Sequence, residues 1–146
     1  KKTVPPKKGI IAGAFDVIHP GYIRMFKEAR DYCNHFTVAL HEDPSIERKY
    51  KLKPVQTVEE RKEILLAIQY VDDVVVYHKE ETFHEYLKDY DIRFLGTDYR
   101  DGSYTGKDLS IDIIWLTRNH DYSSTKLKQD IFYSVEDAEV SGLHYD

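Results

Sequence analysis

The segment 13–21 places several chemically useful residues between a short apolar run and an amphipathic stretch. A glycine, Gly13, closes the apolar run, and His19 directly precedes Pro20 and Gly21. Proline is favoured at the first position of a helix, so a helix is predicted to begin just after His19. The free N–H groups and the positive dipole end of such a helix attract anions, and an imidazole can donate to a phosphate oxygen. The segment therefore predicts a polyphosphate-binding turn.

Each residue of this pattern also has a simpler interpretation. A lone His19 is most often a surface or capping histidine, and Asp16 can be a turn residue that bonds its own backbone. Ser123 and Ser124 precede the last amphipathic stretch and are typical helix caps. Capping and phosphate binding use the same backbone N–H groups, so either interpretation leaves an anion site at that helix start.

Composition narrows the class of protein. The chain has 146 residues, 41% hydrophobic and 32% charged, which suits one soluble globular domain. The net charge of −5 argues against a nucleic-acid partner, because such proteins neutralise phosphates with clustered cations. A single cysteine, Cys33, cannot form an internal disulfide, and no apolar run approaches the roughly 20 residues of a membrane helix. We expect a cytoplasmic protein with no nucleic-acid or membrane partner.

Strands and helices are predicted to alternate along the chain. Apolar, β-prone runs predict strands at 9–14, 36–40, 74–77, 92–96 and 111–116. Helical spacing predicts helices over 21–33, from a capping box at Thr57 and Glu60, from a second box at Thr82 and Glu85, and from Ser123 or Ser124. In the last helix, Leu127 and Ile131 are expected to face inward. This order predicts an α/β fold, a three-layer, Rossmann-like parallel sheet of about five strands with helices on both faces.

The same patterns suggest how the chain is divided. Residues 1–8 contain four lysines and two prolines without an apolar stretch, so they are predicted to be a flexible lead-in and not a signal peptide. Residues 9–132 form the predicted catalytic domain, and residues 133–146 a tyrosine-containing C-terminal tail.

Four stretches of the chain resemble signatures of the cytidylyltransferase family, within the HxGH nucleotidyltransferase superfamily. Segment 13–22 resembles G-x-F-D-x-x-H-x-G-H, and segment 60–72 resembles the E-x-R-K helix with its following Y-V-D. Segment 95–99 resembles G-D-D-W, and segment 118–125 resembles R-T-E-G-I-S-T-T. The stretches occur in the family's order between residues 9 and 129. The likeness is strongest to the members that act on glycerol 3-phosphate.

The resemblance implies an activity and its participants. It implies transfer of CMP from CTP to a small alcohol phosphate, glycerol 3-phosphate before others, with pyrophosphate released. Mg²⁺ is expected to accompany CTP, held by phosphates and water without dedicated protein ligands. A homodimer is also implied.

The resemblance also assigns roles to residues. The implied catalytic residues are His19, Lys51 and Arg118. The residues implied to bind the nucleotide lie in the turn after the first strand, after the fourth strand and before the last helix: Ala14, Phe15, Asp16, His19, Tyr22, Asp98, Tyr99, Arg118, Ser123 and Ser124. The residues implied to bind the acceptor are Lys49, Lys51 and Arg61. Without the resemblance, the lysines would belong to a solvated loop. Arg61 would pair with helix neighbours such as Glu60, be solvated, or have a structural or phosphate-edge role.

Two positions depart from the family pattern. Tyr22 stands where the family has its second histidine, and Gln69 stands where it has an arginine. A neutral phenol supplies no positive charge to a phosphate, so slower chemistry or a shifted substrate is expected. Two alternatives therefore remain: a nucleotidyltransferase of the same fold with another nucleotide or acceptor, and a degenerate module that binds a nucleotide without turnover.

Overall fold

Five strands form one parallel sheet in the computed structural model, which describes residues 6–117 and 121–142. The strands are β1 Lys8–Gly13, β2 His35–His41, β3 Asp73–Tyr77, β4 Ile92–Gly96 and β5 Asp112–Leu116. They lie in the order β3-β2-β1-β4-β5. The direction of winding changes between β1 and β4, and open α/β sheets bind ligands beyond the carboxyl ends of the strands at such a point.

Helices cover both faces of the sheet. They are α1 Pro20–Ala29, α2 Val58–Leu66, α3 Glu80–Leu87 and α4 Ser124–Val140, with a short 3₁₀ turn at Thr97–Tyr99. One core contains Ile11 of β1 with Phe26 of α1 and Leu65 of α2. The opposite core contains Ile10 of β1 with Phe83 of α3. Neighbouring residues of a strand thus enter different cores, and the predicted three-layer α/β fold is confirmed.

The starts of two middle helices were predicted with different success. At α2, the Thr57 hydroxyl accepts from the Glu60 N–H, and the Glu60 carboxylate accepts from the Thr57 N–H, which confirms the capping box. The second predicted box was wrong, because α3 begins at Glu80 and Thr82 lies inside it. Acidic residues in the first turn complement the helix dipole, and α3 begins with two of them, Glu80 and Glu81.

The last helix differs from its prediction. The Ser123 hydroxyl accepts from the Lys126 N–H, so Ser123 caps α4. Ile131 was expected to face inward, but 51% of its surface is exposed, and α4 contains no buried residue. The helix continues to Val140 across residue 133, and β1 already begins at Lys8. The division into lead-in, domain and tail stays a prediction.

Smaller shifts concern the ends of other elements. The first helix ends at Ala29, four residues before its predicted end, and the chain turns there towards β2. Within residues 6–117 and 121–142, no helix combines the length and apolar character that membrane crossing requires.

Candidate functional site

The turn after β1 has an unusual backbone. Phe15 and Val17 adopt φ angles of 46° and 54°, in the left-handed region that side chains with a Cβ seldom occupy. The Phe15 ring is buried and packs edge-to-face on Tyr22, with ring centres 5.2 Å apart. The Val17 N–H donates to the side-chain oxygen of Gln56 at 2.9 Å. Strained backbone persists where surrounding contacts hold it, and it is concentrated at functional sites.

Asp16 anchors this turn to two distant segments. Its carboxylate accepts from the backbone N–H groups of Val55 and Gln56 at 2.8 and 3.1 Å. The ammonium of Lys128, on α4, lies 2.6 Å from the same carboxylate. Burial alone would raise the pKa of Asp16, but these three donors outweigh burial and hold the pKa below its ordinary value. Asp16 thus positions the turn, and its own contact with a nucleotide stays a prediction.

His19 lies at the start of α1, where it occupies the N-cap position. Only 5% of its surface is exposed. Its ring stacks on Tyr22 with centres 4.0 Å apart and planes 18° apart, and Tyr122 lies nearly parallel to it at 5.8 Å. Two aromatic residues therefore fix the plane of the imidazole beside the start of α1.

The N-termini of α1 and α4 meet beside this imidazole. The Ser124 hydroxyl donates to the Asp16 carbonyl at 2.7 Å. A serine hydroxyl has one proton, so the phenol of Tyr22, 3.0 Å from the Ser124 oxygen, is the donor of that second bond. The two helix starts that the sequence singled out are thus joined by Tyr22 and Ser124, and both positive dipole ends are directed to the carboxyl end of β1.

Arg61 is the largest of the fully buried residues and supports the turn from beneath. Its guanidinium donates to the carbonyls of Ala14, His41 and Glu42 at 2.9, 2.8 and 2.6 Å. Its Nε donates to two carbonyls at the start of α2, those of Gln56 and Thr57. Burial lowers the pKa of Arg61, although arginine remains charged. All three nitrogens bond the main chain, which does not support the predicted acceptor contact and makes Arg61 a positioning residue.

The remaining residues of the predicted nucleotide site are partly described. Asp98 and Tyr99 belong to the 3₁₀ turn that directly follows β4, the strand beside β1. Tyr99 is exposed there. Arg118 lies outside the described residues, so its predicted role stays a prediction.

The structure separates the two predicted loop lysines. Lys51 lines a cleft of about 710 Å³ between the loop 50–52 and α4. Lys49 is exposed and does not line this cleft. The cleft is formed by Tyr50, Lys51, Leu52, Thr125, Lys128, Gln129, Phe132 and Tyr133.

Lys128 is a site residue that the sequence analysis missed. It lines the cleft and also contacts Asp16, so it connects the cleft with the turn that holds His19. The available signal was spacing: Lys128 follows Ser124 by four residues, and side chains four apart share one face of a helix.

Residues 6–117 and 121–142 contain no group of three or more His, Cys, Asp or Glu side chains placed to hold a metal ion. Asp16, the carboxylate of the turn, already has Lys128 and two backbone donors as partners. The expectation that Mg²⁺ is held by phosphates and water stays a prediction.

Comparison with known proteins extends over most of the chain. The model of the family described as cytidylyltransferase-like matches residues 10–130. The glycerol-3-phosphate cytidylyltransferase of Staphylococcus aureus is 31% identical over 130 residues, which cover 86% of this chain and 96% of that protein. The bifunctional protein HldE of Hyphomonas neptunium is 32% identical over 105 residues. That match covers 70% of this chain and 22% of HldE, so the chain spans about a fifth of that relative.

A solved structure shares the fold. The lipopolysaccharide core biosynthesis protein from Thermoplasma volcanium superposes with a TM-score of 0.60 at 19% identity, covering 76% of this chain and 94% of that one. Since the family model spans most of the sheet and both helix starts at the site, the chain belongs to the cytidylyltransferase-like family of nucleotidyltransferases.

Proposed function

We propose that this chain transfers CMP from CTP to the phosphate of a small alcohol phosphate. The observation that carries the proposal is the meeting of the α1 and α4 N-termini, joined by Tyr22 and Ser124, around the buried His19. Two helix starts can donate several N–H groups to one triphosphate. The relative named glycerol-3-phosphate cytidylyltransferase, matched over almost its whole length, makes glycerol 3-phosphate the first acceptor to assay.

The reaction needs no covalent intermediate on the protein. An oxygen of the acceptor phosphate attacks the α-phosphorus of CTP in line, and a new O–P bond forms. The bond from the α-phosphorus to the bridging oxygen of the β-phosphate breaks, and pyrophosphate leaves with that electron pair. The contribution of the protein is alignment and stabilisation of negative charge.

The residues of the site divide this work. His19 donates to an α- or β-phosphate oxygen, and the backbone at Ala14 and Phe15 holds the triphosphate side of the turn. Lys51 reaches the phosphates from the facing loop, and Arg118 binds the β- and γ-phosphates by its forked donors. The substrate is the Mg²⁺ complex of CTP, with the ion on phosphate oxygens and water.

Tyr22 does not replace the charge of a second histidine. Its hydroxyl donates to Ser124 and its ring supports His19, so its part is positioning. Lys128, half-buried beside Asp16, is a cation near the same turn, but its charge is paired with that carboxylate.

Pyrophosphate release tests the proposal directly. We expect release with CTP and not with ATP, GTP or UTP, when glycerol 3-phosphate and other alcohol phosphates are offered. Activity with ATP alone would overturn the assignment of CTP and leave the transferase fold with a different nucleotide.

A nucleotide-binding module without turnover is the second candidate, and the neutral Tyr22 is the observation that favours it. Calorimetry distinguishes the two. Binding of CTP, together with no pyrophosphate from any acceptor, would establish the module and exclude the transferase.

We further propose that the protein acts in the cytoplasm as a homodimer. The single cysteine suits a reducing compartment, and the exposed Val135 and Val140 of α4, which do not line the cleft, supply apolar surface for a second copy. Sedimentation velocity would give twice the chain mass for a dimer.

A further inference from the structure

The cleft between the loop 50–52 and α4 adjoins the turn after β1 but is not part of it. Lys128 links the two: it lines the cleft, and its ammonium lies 2.6 Å from the carboxylate of Asp16. A molecule in this cleft therefore lies next to the turn that holds His19. That is where a second substrate has to be placed for in-line attack on a nucleotide bound at the turn.

The walls of the cleft carry unusually exposed aromatic side chains. Tyr50 is 80% exposed, Phe132 63% and Tyr133 60%. Phe132 and Tyr133 pack edge-to-face on each other, with ring centres 5.6 Å apart. Leu52 adds an aliphatic side chain to the same surface. Contiguous exposed apolar surface of this kind marks binding sites.

The cleft has few polar groups, and two of them are cationic. Lys51 and Lys128 contribute ammonium groups, while Thr125 and Gln129 contribute neutral donors from α4. An apolar pocket with a small number of placed polar groups, and a volume of about 710 Å³, is typical of sites for organic ligands. Lys51 suits an anionic group on that ligand, and the ammonium of Lys128, although paired with Asp16, keeps further N–H donors.

We propose that this cleft binds the acceptor, and that the acceptor is a phosphate monoester with a planar or apolar carbon group. Its phosphate lies between Lys51 and Lys128, and its carbon group lies against Tyr50, Phe132 and Tyr133. Every carbon of glycerol 3-phosphate carries an oxygen, so it gains little from aromatic walls. This inference rests on the proposed function, which it refines by giving the class of the second substrate.

A set of three phosphate esters tests the inference by direct binding. The protein is first saturated with α,β-methylene CTP, which cannot be turned over, and is then titrated with 2-phenylethyl phosphate, ribose 5-phosphate or glycerol 3-phosphate in a calorimeter. We expect 2-phenylethyl phosphate to bind at least about tenfold more tightly than the other two. Equal affinities, or a preference for either polar ester, would overturn the inference.

Substitutions in the cleft test whether its side chains cause the preference for 2-phenylethyl phosphate. Phe132→Ala and Tyr133→Ala should each weaken 2-phenylethyl phosphate by about three- to tenfold and leave glycerol 3-phosphate unchanged. Ile131→Ala is the matched control, because Ile131 is also an exposed apolar residue of α4 but does not line the cleft. An effect of Ile131→Ala equal to that of Phe132→Ala would contradict the assignment.

The failure of this inference differs from the failure of the proposed function. Pyrophosphate release from CTP with glycerol 3-phosphate as the preferred acceptor would retain the function and overturn the inference. Absence of CTP binding would overturn the function itself. If Phe132→Ala converts a dimer into a monomer and leaves the affinity for every ester unchanged, the aromatic surface is a subunit interface and the inference is wrong.

Discussion

At the scale of single residues, the site is held by groups that bond protein and not substrate. Asp16 and Arg61 each collect several backbone partners, and neither leaves its main bonding atoms turned to solvent. His19 is different, because it is a buried imidazole at a helix start, held by ring stacking. Replacing Asp16 or Arg61 should mainly lower the stability of the fold. Replacing His19 should mainly lower the rate of the reaction.

His19→Ala should lower kcat by at least about 10²-fold, the usual cost of losing a donor to developing charge. Stopped pyrophosphate assays would measure the loss, with circular dichroism to check that the fold is retained. His78→Ala is the control, since the His78 side chain is exposed and directly follows β3, outside α1 and the turn. A His19→Ala variant with the original rate would contradict the role of this imidazole.

Arg61→Met should lower the free energy of unfolding by about 3 kcal/mol or more, because buried carbonyls lose their donor. Urea denaturation measures the change. Lys62→Met, at the exposed neighbouring position, should stay within about 0.5 kcal/mol of the original. Unchanged stability together with a raised KM for the acceptor would instead support the acceptor contact that the family resemblance implied.

At the scale of elements, one short hydrogen-bonded chain sets how the first and last helices meet. Tyr22 of α1 donates to Ser124 of α4, and Ser124 donates to the turn between β1 and α1. The angle between the two helix starts, and so the direction of their free N–H groups, depends on these bonds. The bond between Ser124 and Asp16 is a long-range contact, because the two residues are 108 positions apart in the sequence.

Ser124→Ala should therefore raise the KM for CTP severalfold and destabilise the fold by about 1–2 kcal/mol. Steady-state kinetics and thermal unfolding would measure the two effects. Ser123→Ala removes a helix cap without touching Tyr22 or Asp16, so it should show a similar loss of stability with a smaller change in KM. If both variants change KM equally, the link between the helices has no special role.

At the scale of the whole molecule, the sequence predicted features that depend on neighbouring residues. It did not predict the contacts between distant segments. The capping box at Thr57, the cap at Ser123 and the alternation of strands and helices are local, and all three were predictable. The spacing from Ser124 places Lys128 on the same face of α4, but its contact with Asp16, like the contacts of Arg61, joins segments that are distant in the sequence. The end of α1 was misjudged because helical periodicity continued past it, and the start of α3 was misjudged because a capping-box pattern lies inside the helix.

Stability at acidic pH should depend on the contacts of the Asp16 carboxylate with Val55, Gln56 and Lys128. Its pKa is held below the ordinary value of about 3.9, so the carboxylate contributes stability that is complete above the unfolded pKa and is lost as pH falls through the folded one. Unfolding free energies measured between about pH 5 and pH 2 should fall less steeply for Asp16→Asn than for the original chain. Parallel slopes would show that Lys128 does not stabilise the charged form.

The contacts between α4 and the turn at Asp16 also form in a set order during synthesis of the chain. A ribosome makes all five strands and the turn after β1 before it makes α4, whose Ser124 and Lys128 close two of the contacts on that turn. A nascent chain that has completed its sheet therefore still lacks the contacts of Ser124 and Lys128 with this turn. We therefore expect binding of CTP at the proposed site to begin only once α4 has been made.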